Sequence, residues 1–206
     1  GTFSCNAVSA AIKRVTINGS TLSDGIIKIK NNATGTAWVF GVIAYPTDRP
    51  VMVVCQGSRL GAKAADYAST TQLWSGVGHA SVIKPDLSIV ALTLNDIALP
   101  TTAAAWNTSM VSILDKLAQW GDVAVGTGFV GGRTNFTNTV WKGIELQARK
   151  TCAAYGGLFV NMHSRFYSHA SAQDEGWVYD QDHMNALGYN EQAKIYAAVV
   201  KRLAGY

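Results

Sequence analysis

Leu87-Ser88-Ile89-Val90-Ala91-Leu92-Thr93-Leu94-Asn95-Asp96 is the stretch that decides the fold. Leu87 to Leu92 is apolar but for Ser88 and has no helical period, which is how a strand buried in a sheet reads. Three other segments read alike: Val51-Met52-Val53-Val54-Cys55 before it, Val123 to Val130 and Leu158-Phe159-Val160 after it. Helical spacing fills the gaps between them. Ala62 to about Leu73 can form a helix. Trp106, Met110, Ile113, Leu114 and Leu117 fall on one helical face, with Thr101 or Thr102 as N-cap. Further helices are predicted over Asn138 to Ala154 and from near Tyr189 to the C-terminus. The last turns Ile195, Tyr196, Val199, Val200 and Leu203 inward and carries Lys201 and Arg202 in its final turn, where they suit the dipole. Alternation of this kind predicts an α/β fold with three α/β/α layers and a parallel sheet.

Residues 1–48 have a different texture. Arg14-Val15-Thr16-Ile17, Ile26-Ile27-Lys28-Ile29-Lys30 and Trp38 to Tyr45 are separated by Asn18-Gly19 and Asn31-Asn32, the mark of hairpins and antiparallel strands. A β-rich segment, 1–48, is therefore expected to precede an α/β domain, 49–206.

Bulk properties exclude several classes. The 206 residues carry a net charge of only +4, without a basic run interleaved with aromatics, so nucleic acid is not an expected partner. No apolar stretch reaches the length of a membrane span, and no signal peptide opens the chain. Cys5, Cys55 and Cys152 cannot all pair; buried free thiols fit folding in a reducing cytoplasm. His79, His163 and His169 lack partners at metal-ligand spacing, so no metal and no cofactor are expected, and these histidines read as structural or surface residues.

In a parallel α/β sheet the ligand sits beyond the carboxyl ends of the strands. Gln56-Gly57-Ser58-Arg59-Leu60-Gly61 follows the first strand, and a glycine there lets backbone N–H groups face an anion. Asn95, after the next strand, can aim an amide into the cleft as an oxyanion donor. Before the last helix, Asp180 precedes His183 by three positions, so its carboxylate can fix the imidazole tautomer and stabilise the imidazolium. Trp177, in the polar loop just ahead, can stack on a sugar ring; the remaining tryptophans read mostly as core.

Taken together these segments resemble the SGNH (GDSL-type) hydrolase superfamily over about residues 50–206. Val51 to Tyr67 looks like its second block, Lys84-Pro85-Asp86-Leu87 through Leu94-Asn95-Asp96 like its third, and Asp180 to Asn185 like the D-x-x-H-x-N of its fifth. The resemblance implies a flavodoxin-like three-layer fold. It makes Gly61 (backbone N–H) and Asn95 (side chain) the oxyanion donors, His183 the general base, and Asp180 the group that orients it. Thr93 stands where the third block usually has glycine.

The first block is missing. No Gly-Asp-Ser occurs in the chain; Ser20 has no helix after it, and the strand before Ser58 is needed for the second block. Polysaccharide-deacetylating tail proteins of bacteriophages, within this superfamily, carry a β-rich module between their first and second blocks. By that resemblance residues 1–48 end such an insert, and the nucleophile strand lies upstream, in another segment of the same gene product. The expectation is a serine esterase that removes O-acetyl groups from a carbohydrate, virion-associated and open to homo-oligomerisation. The competing expectation is an inactive SGNH-fold module that binds glycan in an adhesin or tail fibre.

Overall fold

The structure is a computed structural model that describes residues 52–55, 57–69, 76–134 and 136–203. The expected β-rich segment 1–48, Ser20 and Cys5 lie outside the described residues. From Ser58 onward the chain forms one compact unit.

Among the described residues three parallel strands form a sheet, β1 (Leu87–Val90), β2 (Asp122–Gly126) and β3 (Leu158–Val160), in that spatial order. Leu87 pairs with Asp122 and Val90 with Val125; Ala124 pairs with Leu158 and Gly126 with Val160. Parallel neighbours need long crossovers. The first uses α3 (Leu94–Ala98) and α4 (Ala103–Leu117), the second α5 (Asn138–Ala154). Ahead of β1 come α1 (Ala64–Ala68) and α2 (Gly76–Ile83); after β3 come α6 (His163–Phe166), α7 (His169–Asp174) and α8 (Ala186–Leu203).

The central strand shows the layering. Val123 and Val125 face one apolar cluster, which α1, α2, α4 and α5 fill with Tyr67, Val77, Trp106, Met110, Ile113, Leu114 and Ile144. Ala124, between them, faces a second cluster with Met162, Phe166, Ala172, Met184 and Val199, from α6, α7, α8 and their loops. Alternate residues of a strand point to opposite faces, so the sheet is covered on both sides. The α/β class and the three layers are those read from the sequence.

Several local details follow from identifiable bonds. Thr102 caps α4, its hydroxyl accepting from the Ala105 N–H at 3.2 Å, and Thr137 caps α5. β2 stops at Gly126 rather than Val130 because the Gly128 N–H turns to the Thr93 hydroxyl at 2.7 Å instead of a strand partner. α8 begins at Ala186, ahead of Tyr189, because the Asn185 carboxamide oxygen accepts from Leu187 and Gly188 N–H groups at 2.9 and 3.1 Å. The helix expected from Ala62 is shorter, Ala64–Ala68, and α2 was not foreseen; two glycines weaken the helical signature of its sequence.

One expected strand does not form. Met52 and Val54 are 75% and 79% exposed, and residues 52–55 lie in no strand. An apolar run becomes a strand only when a neighbour satisfies its backbone groups, and none does so among the described residues. The exposure includes Cys55, so of the two described cysteines Cys152 fits the expectation of a buried free thiol and Cys55 does not. β1, at the edge of the sheet, is also less buried than its composition suggests, with Ile89 38% exposed.

Candidate active site

The loop between α7 and α8 closes as a narrow hairpin. Val178 and Met184 form an antiparallel bridge, and the His183 carbonyl accepts from the Tyr179 N–H at 2.9 Å. Asp180 sits in the bend. Its Oδ1 accepts from the Asp182 and His183 N–H groups, both at 2.8 Å, and the carboxylate meets His183 Nδ1 at 2.9 and 3.0 Å. The Asp182 N–H, followed by the His183 ring, holds the Asp180 carboxyl below its usual range. The pair expected from the D-x-x-H spacing is therefore assembled. Nδ1 faces the carboxylate, which leaves Nε2 to take a proton; Nε2 has no hydrogen-bond partner among the described residues.

That hairpin is clamped to the loop after β2. The Gly132 N–H donates to the Gln181 carbonyl at 2.7 Å, and Arg133 forms an ion pair with Asp182. His169 Nε2 lies 3.2 Å from the Asp180 carbonyl, with its ring against Phe129. His169 thus supports the hairpin from outside the dyad. Asn185, last polar residue of the motif, bonds the Gly176 carbonyl at 2.7 Å and caps α8. Its work is structural.

The two expected oxyanion donors come together at the carboxyl end of β1. Gly61 has φ +73°, the left-handed region that favours glycine, with nothing within 4 Å of where a Cβ would stand. Its N–H has no partner among the described residues. Asn95, in the first turn of α3, donates through Nδ2 to the Ala62 carbonyl at 3.0 Å, one residue from Gly61. An amide nitrogen carries two N–H donors, so one remains for a ligand. Thr93 is buried and receives the Gly128 N–H, tying the ends of β1 and β2 together. Thr127 does the same for β2 and β3, its hydroxyl accepting from the Met162 N–H at 3.2 Å.

Trp177 is less available than its sequence suggested. Arg165 lies over its ring at 4.3 Å and Phe166 packs edge-on at 5.5 Å. Tyr179, for which the sequence raised no expectation, is 80% exposed and stands opposite His183 in the hairpin. Its signal was the register itself: bridging Val178 to Met184 puts 179 and 183 on one face. Among the described residues no group of three metal-ligating side chains gathers, and no helix is long and apolar enough to cross a membrane.

No protein-family model matches the chain, and no curated protein matches its sequence. Its structure is similar to that of a Parabacteroides merdae protein provisionally described as a GDSL-like lipase, with a TM-score of 0.53. The two share 16% identity over 66% of this chain and 67% of the other. The likeness is one of fold: helices around a parallel sheet, in the manner of a GDSL-like α/β hydrolase.

Proposed function

We propose that the protein is an ester hydrolase of the SGNH type that removes O-acetyl groups from a carbohydrate. The observation that carries this reading is the Asp180–His183 pair, with the carboxylate on Nδ1 and with Nε2 unengaged among the described residues. In the proposed reaction a serine hydroxyl attacks the ester carbonyl while His183 Nε2 takes its proton. Gly61 N–H and the Asn95 amide stabilise the oxyanion. Collapse breaks the carbonyl–sugar oxygen bond, and His183 returns the proton to the departing alcohol. Water, activated by the same imidazole, then releases acetate and restores the serine. Tyr179, beside the base, offers a ring face to the sugar in preference to Trp177.

The serine is proposed to come from a segment N-terminal to this chain. One fact favours that placement: no Gly-Asp-Ser is present in the sequence. The same absent motif favours a second reading, a glycan-binding module that has lost its nucleophile.

Acetate release from an O-acetylated polysaccharide by the complete gene product separates the two. As an esterase it should lose roughly four to six orders of magnitude in kcat on His183→Ala. Asn95→Ala should cost about 10²–10³-fold. Glycan binding without acetate release, unchanged by His183→Ala, would replace the esterase with the binding module.

A further inference from the structure

Asp96 is a carboxylate that the proposed chemistry does not use, yet it is only 1% exposed. Removing a charge from water is costly unless specific partners repay it, so its bonds indicate what it is for. Its Oδ2 accepts from the Ala64 N–H at 2.9 Å, the first residue of α1. The preceding residue, Asn95, holds the Ala62 carbonyl. Two consecutive side chains of α3 therefore grip the peptide groups on either side of Lys63, two residues after Gly61. Lys63 is itself pinned by Asp66, which accepts from its N–H at 2.8 Å.

We infer that Asp96 is a positioning residue, which sets the spacing between Gly61 N–H and the Asn95 amide and so completes the oxyanion site. This rests on the esterase reading for its use, though not for its geometry. With one N–H of Asn95 spent on Ala62, the amide alone would be both tether and donor. Asp96 supplies an independent tether, leaving the second Asn95 N–H in place for a ligand. Charged or titratable groups near Asp96 are Lys63 and Asp66, with the Thr101 side chain alongside.

The inference is tested by NMR on the 206-residue chain, through its Gly61 and Ala64 amides and the Asn95 carboxamide protons. As Asp96 is protonated, all three signals should shift with its midpoint, because each reports one bonded unit. Asp96→Asn retains an acceptor for Ala64: the titration should vanish while Ala64 exchange stays within about twofold of wild type. Asp96→Ala should raise Ala64 exchange at least about tenfold. In the complete protein it should lower kcat by about 10²-fold with KM unchanged, as expected for a displaced catalytic group. If Asp96→Ala fails to fold, the wild-type titration and Asp96→Asn decide alone. Gly61 and Asn95 signals indifferent to the protonation of Asp96 would overturn the inference. Asn95→Ala without effect on acetate release would instead sink the oxyanion reading and leave the tether standing.

Discussion

Asp180 and Asp96 both accept backbone N–H bonds, but their protonation pulls stability in opposite directions. The Asp180 carboxyl is held below its ordinary 3.8 by the Asp182 N–H and the His183 ring. Its contribution is present above 3.8 and lost as pH falls through the lower folded value. The Asp182 and His183 amide protons should therefore titrate together with a midpoint below 3.8; a midpoint above it would mean the hairpin bonds do not persist in solution. Burial pushes the Asp96 carboxyl above 3.8, although the Ala64 N–H opposes the shift. Its contribution is present below 3.8 and lost as pH rises through the higher folded value. Thermal melts of wild type and Asp96→Asn should show it: the difference, wild type minus variant, falls as pH rises from 3.8. A difference independent of pH would contradict the sign. The Asp180–His183 pair was legible in the sequence because it lies within one turn. The Asp96 bond to Ala64 was not, because 32 positions separate the partners and no local pattern records the contact.

Among the elements, those packed by their own periodic faces were read closely, including α4, α5 and β3. The strand expected over 51–55 is absent at its described residues, 52–55, since apolar composition records what a segment would bury and not whether a neighbour is there to bury it. The start of α8 depends on one close approach. A Cβ on Gly188 would stand 2.3 Å from the Trp177 carbonyl and 2.9 Å from the Met184 Cβ. Gly188→Ala must push the helix off the hairpin that carries Asp180 and His183. A cost of about 1–3 kcal/mol in urea denaturation is expected, typical of overpacking, with altered His183 ring resonances. Wild-type stability and an unchanged ring would show that the hairpin and α8 move independently.

For the molecule as a whole, the proposed placement of the nucleophile makes a direct chemical prediction. The isolated chain should not be labelled by a fluorophosphonate and should turn over p-nitrophenyl acetate orders of magnitude more slowly than an intact triad. Label mapped to Ser20 or Ser58 would move the nucleophile into this chain. The sequence positions of the proposed catalytic groups also order their assembly during folding. The Asp180–His183 contact spans three positions, whereas Asn95 to Ala62 spans 33 and Thr93 to Gly128 spans 35. Loop closure across 33 residues costs about 2 kcal/mol more than across three. The proposed acid–base pair thus closes a short loop, and the proposed oxyanion donors a long one. On loop closure alone, the two proposed halves of the site therefore carry unequal entropic costs of assembly, the smaller one at the hairpin.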